Sequence, residues 1–375
     1  MALPGFLDPE KIIPISRSTT EVFKTGTWSI RKPEHRQKVS PCRVACPAGN
    51  NITQALIRAS EGDFNGALSM FLEESPLPGV CGSVCYHPCE GECNRGQWDG
   101  AVNIRALERA AAELGRAEPV MLTDKGRDYP VAVVGSGPAG LAASYHLARM
   151  GHDVTIFEAE EDIGGMLRWA IPEYRLPEDI LKRDIDRLMA LNIRVVTGQR
   201  MAGAELEEIQ KTHRAVFLAT GAQRSLELDI PGIASEQVTF GLEFLKQVRR
   251  GVLHNISGRV VVIGGGNVAI DAALTARRLG AGKIDLVCLE QRHEMPAHER
   301  EYQDAVEEGV ECRHGWGPKR IMEESGRVEG LEFVQCTSVF DAEGCFRPVY
   351  NETVTMDIEA DWVILGSRGF MPAGT

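Results

Sequence analysis

Residues 130–140 read "PVAVVGSGPAG". Residues 131–134 form an apolar run rich in β-branched side chains, which predicts a buried strand. The run feeds Gly135-x-Gly137-x-x-Gly140, with Pro138 and Ala139 before the last glycine. A helical pattern, "LAASYHLARMG", follows, and then a second strand, "DVTIFEAE", whose acid is Glu158. Strand, glycine turn, helix, strand and terminal acid in this order make the whole dinucleotide-binding fingerprint. Gly135 permits the tight turn, Gly137 lets backbone N–H groups approach a pyrophosphate, and Gly140 lets helix and strand pack closely. The helix start faces the phosphates with its positive end, and Glu158 is placed to accept from a ribose hydroxyl.

The pattern recurs at residues 259–271, "RVVVIGGGNVAID". Residues 260–263 are the strand, and Gly264-x-Gly266-x-x-Ala269 is the fingerprint with alanine in the third place, Asn267 lying inside it. The helix "VAIDAALTARRLG" and the strand "KIDLVCLE" follow, the latter ending at Glu290. Between the two units, "RAVFLATGAQ" sets an apolar strand before Thr220-Gly221, a common second contact in flavoprotein nucleotide domains. Two such units predict an α/β chain that binds two dinucleotides, a flavin and a nicotinamide being the obvious pair.

Ahead of both lies "VCGSVCYHPCEGEC", residues 80–93, with Cys81, Cys85, Cys89 and Cys93 four apart. Gly82, Pro88 and Gly91 argue against one continuous helix, so a winding loop with inward thiols is expected. Upstream, Cys42, Cys46 and Pro47 spell C-x3-C-P, the tail of a bacterial-ferredoxin run. Zinc sites favour C-x2-C pairs, and the chain has none, so iron–sulfur ligation is preferred over zinc and over inert thiols. Two cubanes need more ligands than six thiols supply. Glu108, in "VNIRALERAAAE", is a candidate for a seventh, although a solvated helix carboxylate is the plainer reading.

The bulk numbers narrow the partners. A chain of 375 residues with 10 cysteines and a formal charge of −12 repels phosphate backbones and anionic lipid. No apolar run reaches the ~18 residues of a membrane span. The start, "MALPGFLDPEKIIP", lacks secretory features, so a cytoplasmic protein without disulfides is expected. No Ser-His-Asp set or paired-carboxylate site occurs, and no catalytic side chain is assigned.

The cysteine strings, "GGMLRWAIPEYRLP" (which contains Gly165) and "GGGNVAID" followed by "EMPA" resemble the glutamate synthase small-subunit family. The same module forms the N-terminal half of dihydropyrimidine dehydrogenase and the large subunit of NADH-dependent ferredoxin:NADP oxidoreductases. The resemblance spans roughly residues 40–365 and implies FAD on the first glycine unit, a nicotinamide on the second and one or two [4Fe-4S] clusters on the cysteines. Two-cluster members carry two further cysteines just before the position of Cys42, where this chain reads "RKPEHRQKVSP". Several members use Gln or Glu at the position of Glu108. The resemblance therefore implies Cys46, Cys85, Cys89 and Glu108 as one site, leaving Cys42, Cys81 and Cys93 for a second, one ligand short. A single all-thiolate site drawn from the six is the alternative.

NADP-using members carry two arginines five residues before "EMPA"; here these are Leu289 and Glu290, with Arg292 nearby. A carboxylate accepts from a free 2′-hydroxyl and repels a 2′-phosphate, so NAD(H) is expected. The implied layout is a helical iron–sulfur domain over 1–120, then two Rossmann-like domains. FAD takes 121–235 and 346–375, and the NAD domain, 236–345, is inserted within it. The chain is expected to return to the FAD domain around "IEADWVILGSRG". The family's further flavin-contacting Gly-Asp stretch lies beyond Thr375, and "LGSRGFMPAGT" departs from its "AIGQ"-like strand end; truncation, divergence or completion by a neighbouring subunit would each account for this. The implied activity is hydride exchange between nicotinamide and flavin, then single-electron exchange with iron–sulfur and a partner subunit or ferredoxin, in either direction. The rivals are an NADPH-dependent glutamate synthase small subunit and a non-catalytic docking scaffold or redox sensor.

Overall fold

The computed structural model describes residues 38–122, 129–225 and 228–366, and the backbone of 369–370. The N-terminal part is helical: α1 (Pro41–Ala45), α2 (Ile52–Ser60), α3 (Phe64–Leu72), α4 (Pro78–Val84), α5 (Pro88–Gly91), a 3₁₀ turn (Asn94–Gln97) and α6 (Ile104–Leu114). Short polar caps set the starts. Asp63 accepts from Gly66 N at 2.8 Å ahead of α3, and Asn103 accepts from Ala106 N at 3.1 Å ahead of α6. Ile52, Leu68, Phe71 and Ile104 fill the core between them. The cysteine run is less loop-like than its glycines and prolines suggest. Cys81 lies within α4, Cys85 caps it, Cys89 lies within α5 and Cys93 precedes the 3₁₀ turn. The break between α4 and α5 falls at His87, whose φ is 48°.

The first nucleotide body holds β1 (Pro130–Val134), α7 (Pro138–Arg149), β2 (Asp153–Phe157), α8 (Met166–Trp169), α9 (Glu178–Met189), β3 (Arg194–Val196), α10 (Ala204–Thr212), β4 (Ala215–Leu218) and β5 (Arg224–Ser225). Its sheet runs β3-β2-β1-β4, all parallel, with Val131 opposite Val154 and Ala215. Leu141, Tyr145, Ile156 and Leu181 pack beneath it, joined by Leu77 and Val80 of the cysteine-bearing part. Arg149 Nη1 donates to Glu73 O at 2.7 Å and Val80 N donates to Asp184 Oδ2 at 2.8 Å, which seats the helical part on this body. β4 is an edge strand, and Phe217 and Leu218 on it are exposed.

The second body holds β6 (Val238–Phe240), α11 (Gly241–Arg249), β7 (Arg259–Ile263), α12 (Asn267–Arg278), β8 (Lys283–Cys288), α13 (Glu299–Glu307) and β9 (Glu311–His314). An antiparallel sheet of β10 (Trp316–Glu324), β11 (Arg327–Phe340) and β12 (Phe346–Glu359) covers one face, and β13 (Trp362–Leu365) follows. The main sheet runs β6-β13-β7-β8-β9, all parallel. The strand expected to rejoin the first body therefore pairs elsewhere: Val363 lies between Val261 and Val238. The cause is physical rather than local. "WVIL" is apolar on both faces, as any central parallel strand must be, and that property does not say which sheet it completes. Leu228, Ile230 and Ile233 also pack on this body, so it reaches beyond 236–345 at both ends. Among the described residues the chain crosses back only at β14 (Gly369–Phe370), antiparallel to β5; residues 367–368, 371–375 and 1–37 lie outside the described residues.

Guanidinium groups join the two bodies. Arg249 of α11 donates through Nε to Arg168 O at 2.8 Å and through Nη2 to Glu178 Oε2 at 3.1 Å. Arg175, between α8 and α9, gives Nη1 to both oxygens of Asp271 at 2.9 and 2.7 Å and Nη2 to Glu301. Asp271 is buried on α12, just past the second glycine loop. Asp271→Ala leaves the arginine short of a partner in a site largely closed to water. The expected cost is about 3 kcal/mol, read as an earlier transition in thermal or denaturant unfolding.

Candidate functional site

The first glycine loop has the shape that its residues require. Gly135 sits at φ 102°, and a Cβ there would stand 2.3 Å from Ala219 O. A Cβ on Gly140 would stand 1.9 Å from Gly135 O, so only glycine lets α7 approach β1 so closely. Gly165, at φ 53°, brings its turn against Gly137, where a Cβ would be 2.7 Å from the Gly137 Cα. Gly137 itself faces open space. A cleft of ≈ 360 Å³ opens there, at the carboxyl ends of β1, β2 and β4. Gly135, Gly137, Pro138, Ala139, Glu158, Gly165, Thr220 and Gly221 line it together, and Lys246 of α11 forms part of its wall. Gly140 stands behind the loop as a packing residue. The open cradle at Gly137, over the first turn of a 12-residue helix, fits the pyrophosphate of a dinucleotide.

Glu158 is only 7% exposed and already engaged. Its Oε2 accepts from Ser136 N at 2.8 Å and Ser136 Oγ at 2.5 Å, and its Oε1 accepts from Glu160 N at 3.0 Å. Ser136 Oγ accepts in turn from Gly164 N at 3.1 Å, so one serine links both walls of the cleft. Sequence reading passed over Ser136 because it is the free position of the G-x-G pair.

The second loop repeats the design with changes. Gly264 has φ 139°, and a Cβ there would stand 2.8 Å from Gly366 O. Gly266 faces open space, while Ala269 is fully buried beneath the loop. Glu290 reaches back from the end of β8 to the loop: a Cβ on Gly265 would stand 2.6 Å from its Oε2. The middle glycine of the run 264–266 was visible in the sequence, but its reason is this carboxylate. Asn267 is committed to other protein groups. Its Oδ1 accepts from His298 N at 2.8 Å and its Nδ2 donates to the Tyr86 hydroxyl, whose ring stacks on His298 at 4.6 Å. Arg292 is held as well, its Nη2 lying 2.5 and 2.6 Å from the oxygens of Glu299 and its guanidinium 3.7 Å over the Tyr302 ring.

The thiols gather around α5 and α6. Cys42, Cys46 and Cys89 pack together in the helical core. Burial pushes Cys89 up to about 12, and Cys46, Cys85 and Glu108 add to the shift as negative neighbours. Burial holds Cys81 higher still, with Glu108 the next cause. Cys85 is lowered, first by its hydrogen bond with His87. Cys46, Cys81, Cys85, Cys89 and Glu108 thus share one electrostatic neighbourhood. Cys93 stands apart, lowered chiefly by its hydrogen bond with the Val102 backbone. Glu108 is 4% exposed. Its Oε2 pairs with His87 Nε2 at 3.0 Å, and its Oε1 is buried with no partner among the described residues. An orphaned carboxylate oxygen amid thiols fits an iron ligand. Among the described residues no three His, Cys, Asp or Glu groups converge as they would on a single metal ion. A cubane offers its protein ligands separate irons, so convergence on one point is not what it requires. His87 was not singled out from sequence; a residue before proline gives no sign of such a role.

Comparison with known proteins identifies the domains that carry these sites. Residues 129–366 match the family described as pyridine nucleotide-disulphide oxidoreductase. Residues 36–120 match dihydropyrimidine dehydrogenase domain II, 4Fe-4S cluster. The "NADPH-Fe(3+) oxidoreductase subunit beta" of Geobacter sulfurreducens is 38% identical over 92% of this chain and 54% of its own length. The "NADP(+)-dependent formate dehydrogenase subunit beta" of Moorella thermoacetica is 35% identical over 83% of this chain and 48% of its own. The "NAD-dependent dihydropyrimidine dehydrogenase subunit PreT" of Escherichia coli (strain K12) is 32% identical over 75% and 69%. The chain thus spans about half the length of the first two of these curated relatives. The Mycobacterium tuberculosis oxidoreductase FprA shares the fold, with a TM-score of 0.56 over 66% of this chain and 73% of that one at 19% identity.

The second and third glycines of the first loop separate folding from binding. Gly137→Ala, at an ordinary φ of −67° with nothing within 4 Å, should melt like the unsubstituted chain yet retain markedly less flavin by absorbance. Gly140→Ala should lower the melting temperature itself, because its Cβ meets backbone.

Proposed function

The chain belongs to the pyridine nucleotide-disulphide oxidoreductase family, and from that premise we propose that it is the electron-transferring subunit of a hetero-oligomeric redox complex. It is an FAD- and NAD(P)-dependent oxidoreductase with a 4Fe-4S domain. The proposal adds the route: electrons pass between NAD(H), FAD and iron–sulfur, and from there to or from a partner subunit or ferredoxin. The flavin, when bound, supplies the exchange between two-electron hydride chemistry and single-electron transfer. The observation that carries the reading is the connection of three sites in one framework. Tyr86, one residue past Cys85, touches Asn267 of the second loop, and Arg175 of the first body holds Asp271 beside it.

This chain's residues bind and orient. In the proposal Gly135, Gly137, Pro138, Ala139 and Gly140 seat the flavin pyrophosphate, with Gly165, Thr220 and Gly221 on the far walls. Glu158 accepts from the flavin ribose while Ser136 keeps its carboxylate in place. Gly264, Gly266 and Ala269 seat the nicotinamide dinucleotide, and Asn267 fixes that loop to the cysteine-bearing part. Cys42, Cys46, Cys81, Cys85, Cys89, Cys93 and Glu108 hold one or two [4Fe-4S] clusters. The flavin domain then comprises 129–225 with 369–370, and the nicotinamide domain 228–366. That relatives are named as subunits supports a partnered protein. Among the described residues no helix is long and apolar enough to cross a membrane.

For the nicotinamide we propose NAD(H). Glu290 follows β8 and reaches the second glycine loop, where its carboxylate would accept from a free 2′-hydroxyl and repel a 2′-phosphate, and Arg292 is already paired with Glu299. The competing reading is NADPH, for which two relatives are named. Steady-state reduction of a dye by each nucleotide decides between them. NADH should exceed NADPH in kcat/KM by at least ~10-fold, and Glu290→Gln should narrow that ratio by about as much, ~1.4 kcal/mol; a preference for NADPH sinks the assignment. Anaerobically isolated chain should carry iron and acid-labile sulfide in equal amounts, and the absence of both would remove the iron–sulfur arm.

A further inference from the structure

We propose that His87 is a positioning residue for the iron–sulfur site, fixing the Glu108 carboxylate and the Cys85 thiolate through one buried, left-handed turn. The inference rests on reading Glu108 and Cys85 as ligands.

The backbone is the first sign. Among the described residues, three non-glycine positions have positive φ: His87, Asn192 and Ser325. Asn192 and Ser325 are exposed; His87 is 4% exposed. His87 also precedes Pro88, and a following proline favours extended backbone. A buried histidine at φ 48° and ψ 62° is thus disfavoured twice. Strain of this kind, on the order of 1–3 kcal/mol, persists only where surrounding contacts hold it.

The His87 backbone carbonyl accepts from Glu90 N at 2.9 Å, while the contacts of its ring and backbone N–H lead to candidate ligands. Nδ1 lies 2.9 Å from Cys85 O. A carbonyl can only accept, so Nδ1 carries a proton. Nε2 lies 3.0 Å from Glu108 Oε2, and the two atoms share one further proton. That contact commits Oε2 and leaves the buried, unpartnered Oε1 as the oxygen available to iron. The His87 backbone N–H donates to Cys85 Sγ at 3.3 Å. An N–H directed at a cluster sulfur stabilises its negative charge and raises the reduction potential. An extended backbone at position 87 would turn both the N–H and the ring away, which accounts for the left-handed turn.

The test uses the full chain, purified without oxygen. His87→Gly keeps the left-handed turn without strain and removes the imidazole; His87→Gln restores a donor of similar reach to Glu108. The unsubstituted chain and both variants are compared by melting temperature, iron and sulfide content, the electron paramagnetic resonance of the reduced cluster and its midpoint potential. His87→Gly should fold, lose iron to a chelator about 10- to 100-fold faster and show shifted g-values and potential, with His87→Gln returning towards the parent. Should His87→Gly fail to fold, His87→Asn tolerates the turn, is too short to reach Glu108 and carries the same comparison. A spectrum, potential and chelation rate identical to the parent overturn the positioning role. Glu108→Ala distinguishes the underlying reading: if it leaves the iron signal unchanged, Glu108 is not a ligand, whatever His87 does.

Discussion

The architecture turns on guanidinium groups shared between the two bodies, Arg175 and Arg249. Arg175 stands on the loop between two helices of the first body, yet both of its partners, Asp271 and Glu301, belong to the second. Tyr174 beside it donates to Asp271 Oδ1 at 3.3 Å, and Arg278 lies 3.8 Å over the Tyr174 ring. Ion pairs of this kind add little net stability, because desolvating the charges cancels most of the attraction. What they add here is selectivity among packings: any slide of one body over the other strands a charge. Asp271 is four residues from Asn267, so the contact that fixes the bodies also fixes the second glycine loop.

The third component joins at the same place. Arg105 and Arg109 of the cysteine-bearing part, Arg175, and Arg278 and Arg300 of the second body surround a cavity of ≈ 520 Å³. Asp271, Glu301, Asp304, Glu307 and Glu308 balance them there. A chain of formal charge −12 thus concentrates arginine at its internal junction. Guanidinium suits the place because it forms several hydrogen bonds in fixed directions and sheds water more readily than an ammonium.

Much of this was legible in the sequence, and what was not shares a cause. The glycine fingerprints, Glu158, Glu290 and the gathered cysteines announce themselves because their spacing follows local chemistry. Long-range choices leave no such trace. "WVIL" is as good a strand for one sheet as for the other, and its place between β6 and β7 depends on contacts far away in the chain. Asn267 fits the fingerprint, yet it is spent on Tyr86 and His298. Ser136 is the silent position of its motif, and nothing beside His87 says that its ring will find a carboxylate 21 residues on. Polar partners chosen across the fold are where pattern reading stops.

The position of β13 also bears on how the chain acquires its shape. An interior strand of the second sheet, β13, is the last of its strands to emerge from the ribosome, roughly a hundred residues after β7. Until it arrives, the edges of β6 and β7 that β13 pairs with lack their native partner, and Gly264 lacks the Gly366 carbonyl against which its turn closes. Nascent chains must therefore keep apolar strand edges unpaired through the synthesis of the whole antiparallel sheet, an interval that favours chaperone capture. The second glycine loop is thus the late product of translation, and the glycine turn at residues 135–140, whose strands are all made by residue 218, is the early one.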